Sequence, residues 1–287
     1  MSPHLKGLLI AFLGVVALSP DSLIVLLIET DQWTLLFWRG LLTSAGIVLM
    51  NMAIHRQNTL FAYRRIGRSG ILISILFAGA TVFFVTALRH TSVANTLVIV
   101  SSSPIFAALL SRLILNEFVA RHTWITIGVV ILAVGLIVYE SLGAIAFFGD
   151  VCALGSAVFV AGNFVIIRRA RNIDMTPAMA LGGVLTALVV LPWAMPLHID
   201  SRSAILLLAL GGFLSIAITL LTISPRYIPA PEVSLLMPLE IVFGSCLVWL
   251  VIGEQPTVSA TIGGFIIITA LSLNAARSLR SSGENPA

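Results

Sequence analysis

Long apolar stretches alternate with short polar breaks along the whole chain. Ten of these stretches are close to the length of about 20 residues that a helix needs to cross the hydrocarbon core of a bilayer. They cover residues 5–28, 34–54, 69–88, 92–115, 122–140, 149–168, 176–195, 203–224, 232–252 and 257–276. The pattern predicts an all-α integral membrane protein with ten transmembrane helices. The breaks are too short to fold into a separate soluble domain.

The second half of the chain resembles the first. A shift of 137 residues sets 88–117 over 225–254, and a shift near 142 sets 7–21 over 149–163. These shifts align polar positions with one another: Arg89 with Arg226, Asn95 with Glu232, Ser103 with Glu240, Glu117 with Glu254, and Asp21 with Asn163.

Each copy contains five of the predicted helices, and five is odd, so the second copy must enter the membrane from the opposite side. We therefore predict two inverted-topology repeats, residues 1–143 and 144–287. Proteins built in this way bind substrate near the midplane between the repeats. They work by alternating access, in which one bundle moves against the other.

Composition supports this class and excludes others. Hydrophobic residues make up 59% of the chain and charged residues 10%, whereas soluble domains carry about 25% charged residues. The pI of 9.7 does not indicate nucleic-acid binding, because the basic residues lie in short loops between the predicted spans. Most of them fall on one side if the amino terminus is cytoplasmic, and positive residues resist translocation. We expect both termini in the cytoplasm.

The strongest candidate for a functional group is Glu240, near the middle of the apolar stretch 232–252. A carboxylate at that depth costs several kcal/mol, roughly 2.5 or more, so such groups usually face a water-filled cavity. Pro238 lies two residues earlier, lacks a backbone N–H and interrupts the helix. This stretch is predicted to be a broken helix that lines a site.

Asp21, which follows Pro20 in the first apolar stretch, has two interpretations. It is either a proton-binding or substrate-binding group that faces a cavity, or an interfacial residue at a helix break. Arg39 in the second stretch also has two. Pairing with a carboxylate of a neighbouring helix, a structural role, is favoured over contact with substrate.

Other polar residues add weaker candidates. Ser102, Ser103 and Pro104 lie at mid-depth in the fourth stretch, where serines beside a proline can bind freed carbonyls or a ligand. Packing of small side chains is the alternative. Asn95 is a further candidate nearer the end of that stretch. Asn163 either faces the cavity or bonds to another helix, since a buried amide needs partners.

Glu117 and Glu254 end their helices at opposite membrane faces. A carboxylate stabilises the partially positive start of a neighbouring helix, so a structural role is expected for both. The five histidines lack metal-ligand spacing, and no phosphate-binding glycine loop occurs. We expect no metal, no cofactor and no enzymatic activity.

The segments LRHTSVANTLVIVSSSPIFAALLSRLILNE, LMPLEIVFGSCLVWLVIGE and IGGFIIITA resemble the drug/metabolite transporter superfamily in its EamA-type permease branch. ALSPDSLIVLL and GDVCALGSAVFVAGNFVIIRR resemble the starts of its two five-helix repeats. The resemblance implies a cavity lined mainly by helices 1, 3, 4, 6, 8 and 9. It also implies movement of a small organic molecule, such as an amino acid or related metabolite. Glu240 matches a glutamate of the family's ninth helix.

These features predict a secondary transporter of the bacterial inner membrane that exports a small metabolite by alternating access. Protons are expected on Glu240, with Asp21 as a second acid, which would give proton antiport. Passive facilitation is the alternative. A membrane-embedded enzyme that modifies lipids is a weaker alternative, because no cluster of polar catalytic residues lies at one membrane face.

Overall fold

A computed structural model of the chain describes residues 2–55, 59–90, 96, 99–139, 147–196, 199–252 and 258–284. Within these ranges the protein is all helical and contains no strand. The α-helices are α1 (Pro3–Leu18), α2 (Pro20–Leu27), α3 (Gln32–His55), α4 (Thr59–Arg65), α5 (Gly67–His90), α6 (Ser103–Leu110), α7 (Arg121–Tyr139), α8 (Phe147–Arg169), α9 (Thr176–Val190), α10 (Ser201–Ile223), α11 (Ala230–Leu236), α12 (Leu239–Ile252) and α13 (Val258–Glu284).

Among the described residues, five helical runs are long and apolar enough to cross a membrane. They are Pro3–Val25, Gln32–Ile54, Gly67–His90, Phe147–Arg169 and Ser201–Arg226. Shorter apolar helices lie at Ser103–Leu115, Arg121–Ala133, Thr176–Val190, Val242–Val251 and Phe265–Asn274. The prediction of an all-α membrane protein is confirmed. Each of the ten predicted spans overlaps one of these described runs or shorter helices.

Prolines divide or begin three of the apolar stretches. Pro20 separates α1 from α2, Pro104 lies in the first turn of α6, and Pro238 lies in the turn between α11 and α12. A proline inside a helix removes one backbone hydrogen bond and clashes with the preceding turn. Regular helix is interrupted or begins beside each of these prolines, and the polar residues Asp21, Ser103 and Glu240 lie within two residues of one.

The helices pack in two groups with two helices between them. We call α5, α6 and α8 the first bundle, and α1, α2, α10 and α12 the second bundle, because the helices within each set pack on one another; α11 packs mainly on α6 and α8 and also contacts α1. Helix α3 packs on α9 and α10, and α9 packs on α3 and α5, so this pair joins the bundles. Helices α7 and α13 pack together.

The joining pair α3 and α9 crosses with almost no space between the backbones. A Cβ added at Gly40 would lie 2.6 Å from the carbonyl oxygen of Gly183, and a Cβ added at Gly183 would lie 2.6 Å from that of Gly40. Real Cβ atoms essentially never come this close to another heavy atom, so both positions require glycine. Small residues at a crossing allow membrane helices this close approach.

Candidate functional site

A cavity of about 170 Å³ lies between the two bundles and the joining pair. This volume is many times the ~10–15 Å³ needed to hold one water molecule. Its wall is mostly apolar, with aromatic side chains from α5 and α8, and its polar groups come from α2, α3, α5, α8, α9, α10 and α12. These polar residues are Asp21, Arg39, Thr43, Thr81, Ser156, Asn163, Thr186, Thr222 and Glu240. An apolar cavity with a few convergent polar groups is the usual form of a small-molecule site.

Asp21 and Arg39 form an ion pair in the wall of this cavity. Arg39 Nη2 lies 2.5 Å from Asp21 Oδ2, and both side chains are almost completely buried. Asp21 occupies the first turn of α2, where the break at Pro20 places it, and Arg39 reaches it from α3. Pairing with a carboxylate of a neighbouring helix was the role favoured for Arg39 from sequence. Oδ1 of Asp21 is buried and has no hydrogen-bond partner.

Glu240 faces the same cavity from the start of α12. It interacts electrostatically with both Asp21 and Arg39. Within the part of the chain that the structure describes, no ion pair or hydrogen bond is formed by its carboxylate. The Oγ1 atom of Thr43, one turn from Arg39 on α3, is likewise buried and without a partner.

The charges around the cavity do not balance. Among the described residues its wall holds two carboxylates, Asp21 and Glu240, and one cation, Arg39. Arg39 and Asp21 neutralise each other, so an ionised Glu240 leaves one uncompensated negative charge. An unpaired charge away from water is costly. The cavity is therefore suited to take up one positive charge, as a proton or as a cationic group of a ligand.

Asn163 also lines the cavity, but its amide is already bonded. Its Nδ2 donates to the carbonyl oxygen of Ile73 on α5, at 3.1 Å. Two turns earlier on α8, Ser156 Oγ donates to the carbonyl oxygen of Ala80, also at 3.1 Å. Both residues therefore fasten α8 to α5 while they face the cavity. The alternatives of cavity lining and helix contact, left open from sequence, both apply to Asn163.

Four of the residues singled out from sequence lie beside the cavity rather than in its described wall. Ser103 and Pro104 are buried at the start of α6, and Ser102 donates to the carbonyl oxygen of Ile99. Pro238 lies in the turn between Met237 and Glu240, which do line the cavity. Asn95 and Glu254 lie outside the described residues. A role in substrate binding stays a prediction for all of these except Glu254.

Glu117 is bonded to the end of a helix rather than the start of one. Its Oε1 accepts from Arg168 Nε at 2.9 Å, in the last turn of α8. The carboxylate therefore has an ion-pair partner at the end of α8, and the structural role expected for Glu117 stays a prediction. Arg168 Nη1 also donates to the carbonyl oxygen of Pro225, at 3.0 Å.

Further ion pairs lie at this same end of the bundles, which we call the basic end. His4 Nε2 lies 3.1 Å from Glu232 Oε2, and Arg226 Nη2 lies 2.9 Å from Asp174 Oδ1. Lys6 lies over the ring of Tyr227. The three carboxylates described here, Glu117, Asp174 and Glu232, each have a basic partner, whereas Glu240 in the cavity has none among the described residues. No group of three or more potential metal ligands occurs among the described residues.

Sequence reasoning missed Thr43 and Thr186, which line the cavity from the crossing helices α3 and α9. A signal for them exists. The segment Gly40–Thr43 reads GLLT and Gly183–Thr186 reads GVLT, an offset of 143 residues that is close to the repeat shift. The glycine that permits the crossing and the threonine that reaches the cavity therefore recur together.

Comparison with known proteins finds similarity to membrane transporters. It matches the EamA-like transporter family twice, over residues 5–139 and 147–276. It is 29% identical over 248 residues to the pseudopaline exporter CntI of Pseudomonas aeruginosa strain UCBPP-PA14, a match that covers 80% of this chain and 85% of the exporter. The CntI of strain ATCC 15692 is 29% identical over 251 residues, with the same coverage. A solved crystal structure superposes with a TM-score of 0.82 at 17% identity, covering 98% of this chain and 100% of the other, which shows a shared fold.

Proposed function

Because the chain belongs to the EamA-like transporter family, we propose that it is a secondary transporter that exports a small metabolite in exchange for protons. The observation that carries this proposal is the unbalanced charge of the central cavity, with Glu240 facing a neutral Asp21–Arg39 pair. A site that accepts one positive charge at a time can exchange a proton for a substrate. Glu240 is the proton carrier in this mechanism, and Asp21 is the second acid.

The exchange cycle follows from competition for the cavity. With the cavity open to the cytoplasm, substrate entry displaces the proton from Glu240. After the bundles rearrange, the substrate leaves on the other side and a proton neutralises Glu240 again. The free Oδ1 of Asp21 and the hydroxyl of Thr43 provide hydrogen-bond acceptors and a donor for the substrate. Phe77, Phe84 and Phe164 provide an apolar surface for its body.

The proposed alternating access uses two structural repeats, as in many secondary transporters, and several observations support such repeats in this chain. The family matches once in each half. Packing between the halves also occurs in exchanged pairs: α5 packs on α8 as α10 packs on α1, and α5 packs on α9 as α10 packs on α3. We therefore propose ten transmembrane segments in two inverted repeats, residues 1–143 and 144–287, with α1 plus α2 and α11 plus α12 each forming one broken segment.

The proposed orientation places the basic end in the cytoplasm. Lys6, Arg168 and Arg226 lie at this end, and positive residues are retained on the cytoplasmic side. Both termini are then cytoplasmic, and the membrane is the bacterial inner membrane. The substrate is a small polar or amphipathic metabolite, such as an amino acid or related compound. Pseudopaline, named for the similar exporters, belongs among the compounds to test.

The test is flux in proteoliposomes, with a panel of amino acids, related metabolites and pseudopaline. An imposed pH gradient should drive the flux of at least one compound through the wild-type protein. Glu240→Gln keeps the size of the side chain but cannot ionise, so it should abolish the dependence on the pH gradient. Asn163→Gln, at a cavity residue with no ionisable group, should keep that dependence and is the matched control.

Other outcomes would redirect the proposal. Flux that runs only down the substrate gradient, with or without Glu240, would make the protein a passive facilitator. If the Glu240→Gln variant still shows flux driven by the pH gradient, Glu240 is not the proton carrier. Either Asp21 carries the proton, or proton coupling does not occur at this cavity. Product formation without flux would indicate a membrane-embedded lipid-modifying enzyme.

A further inference from the structure

A salt bridge at the basic end joins the two bundles. Asp174 follows α8 of the first bundle, and its Oδ1 accepts from the backbone N–H of Thr176, at 3.1 Å, in the first turn of α9. Arg226 ends the short turn Ser224–Arg226 that follows α10 of the second bundle. The pair Arg226–Asp174, with 2.9 Å between Nη2 and Oδ1, therefore links the segment after α8 to the segment after α10 at this end.

The opposite end carries the same two residue types at equivalent places. Asp31 follows α2 of the second bundle, and its Oδ1 accepts from the backbone N–H groups of Trp33 at 2.9 Å and Thr34 at 3.0 Å, in the first turn of α3. Arg89 lies in the last turn of α5 of the first bundle. Arg89 aligns with Arg226 at the offset of 137, and Asp31 aligns with Asp174 at the offset of 143 that also relates Gly40 to Gly183.

The two ends differ in whether the pair is formed. Arg89 Nη2 donates to the carbonyl oxygen of Thr30, at 3.2 Å, one residue before Asp31. No ion pair joins Arg89 to Asp31 where the structure describes both residues. Partial burial raises the pKa of Asp31, but hydrogen bonds from Thr34 and Trp33 outweigh that effect, so the pKa lies below its ordinary value. The Asp31 carboxylate is therefore charged at neutral pH and able to bind an arginine.

We propose that Arg226–Asp174 and Arg89–Asp31 are reciprocal gates, of which one pair closes as the other opens. The inference rests on the proposed alternating access, in which inverted repeats exchange their conformations. The present structure is then the state closed at the basic end. In the other state Arg226 releases Asp174, the basic end opens, and Arg89 moves from the carbonyl of Thr30 to the carboxylate of Asp31.

The exposure of the basic-end pair suits a gate. Its side chains are 27% and 25% exposed, whereas the Asp21–Arg39 pair in the cavity is 6% and 11% exposed. Partly exposed ion pairs are individually weak, so one can break and re-form during a transport cycle. Arg168, bonded to both Glu117 and the carbonyl of Pro225, adds a second contact across the same boundary.

The test measures on which side the cavity is open, and it needs no known substrate. Val160 in the cavity wall is replaced by cysteine, in a background with Cys152→Ala and Cys246→Ala, the chain's two native cysteines. A membrane-impermeant maleimide is then applied to right-side-out and inverted vesicles. Asp174→Asn and Asp31→Asn form a matched pair, because asparagine keeps the oxygen that accepts from the following helix and removes only the charge.

Opposite shifts are expected from the two substitutions. Asp174→Asn should raise labelling from the cytoplasmic side roughly two- to fivefold, the change in an equilibrium caused by loss of one partly exposed ion pair. Asp31→Asn should lower it by a similar factor and raise labelling from the outside. The double variant should return towards the parent protein. Arg226→Gln should shift labelling in the same direction as Asp174→Asn, and Arg89→Gln in the same direction as Asp31→Asn. Agreement between partners of one ion pair would show that the shift does not come from misfolding of a single variant.

The gate proposal would be overturned if variants at the two ends shifted the labelling in the same direction, or if none of the four variants changed it. That result together with intact pH-driven flux would leave the transporter proposal standing. Opposite labelling shifts without flux of any compound would instead support the gates and count against proton-coupled transport of the compounds tested.

Discussion

Asp21 and Asn163 occupy equivalent places in the two halves, and their surroundings differ. Asp21 follows the break at Pro20 and is held by Arg39 from α3. Asn163 lies in the unbroken helix α8 and is held by a backbone carbonyl of α5. Both side chains face the same cavity. One half therefore uses a buried charge pair where the other half uses a single neutral hydrogen bond.

The comparison extends to every charge of the cavity wall. Arg39 aligns with Gly182 at the offset of 143, and Glu240 aligns with Ser103 at the offset of 137. Each charged residue thus has a neutral counterpart that occupies an equivalent helix. Because the fold is built without a charge at each counterpart, architecture alone does not explain Asp21, Arg39 and Glu240. A role for these three charges in transport stays a proposal.

The largest effect is expected from Asp21→Ala, which leaves Arg39 buried without its partner. Breaking a buried ion pair in this way costs about 3–5 kcal/mol. The midpoint of thermal unfolding in detergent should fall clearly, and denaturant titration should show the loss in free energy of unfolding. A midpoint equal to that of the parent protein would mean that Arg39 finds another partner, with Glu240 the nearest candidate.

Replacing the pair by neutral groups provides the control for that prediction. Asp21→Asn with Arg39→Met copies the neutral state of the Asn163 site and removes both charges. Exchange of a buried ion pair for neutral side chains of similar volume is often neutral or stabilising, so the double variant should recover most of the stability lost in Asp21→Ala. Its pH-driven flux should still be impaired. Full flux would show that the charge pair is only a structural element.

A smaller loss of stability, equal for the two halves, is expected at the helix crossing, where both halves carry a glycine. Gly40→Ala and Gly183→Ala each place a methyl group against the carbonyl of the opposite helix, and overpacking of this kind costs about 1–3 kcal/mol. The two variants should lower the free energy of unfolding by similar amounts. A large difference between them would show that the crossing is unsymmetrical, which would weaken the correspondence between the halves.

Loss of the Asn163 hydrogen bond should cost less than loss of Asp21. Asn163→Ala removes one bond from a neutral donor to the carbonyl of Ile73, and such a bond contributes about 1 kcal/mol. The same denaturant titration should therefore rank Asn163→Ala well below Asp21→Ala. If Asn163→Ala and Asp21→Ala lowered the free energy of unfolding equally, the proposed energetic difference between the Asp21 and Asn163 sites would be wrong.

The smallest expected effects on stability are those that distinguish Thr43 from Thr186. Thr186 Oγ1 donates to the carbonyl of Gly182 at 2.9 Å, whereas Thr43 Oγ1 has no partner. Thr186→Val should lower stability by up to about 1 kcal/mol. Thr43→Val should leave stability unchanged or slightly improved but raise the KM for the transported compound. Equal KM values for the Thr43→Val and parent proteins would exclude its hydroxyl from substrate binding.

The sequence alone was sufficient to predict the class of protein and to identify Asp21 and Glu240, the two acids that line the cavity. Hydropathy depends on local composition, so the apolar stretches and the broken helix at Pro238 could be predicted directly, whereas a break at Pro20 was only one of two interpretations. Asp21 and Glu240 were identifiable because charge inside an apolar stretch is rare. Both line the same cavity in the structure, although their roles in transport stay predictions.

Contacts between distant segments could not be predicted in the same way. Arg39 had several carboxylates as possible partners, and only the crossing of α3 with the rest of the fold selects Asp21. A structural role was expected for Glu117, with a neighbouring helix start as one possible partner, but its contact with Arg168 at the end of α8 depends on the fold. Thr43 carries no unusual hydropathy signal, so its exposure to the cavity depends on where α3 meets α9.

The contact between Gly40 and Gly183 has a mechanical consequence. Two backbones that touch without intervening side chains can rotate about one another, but they can neither approach further nor slide past a bulky ridge. In the proposed alternating access, this crossing is the pivot about which α3 and α9 would rotate, and the outer ends of the two helices would move furthest. Spin labels near Gly40 and Gly183 should keep a constant separation through the transport cycle. Pairs of labels at the two membrane faces should change in opposite directions.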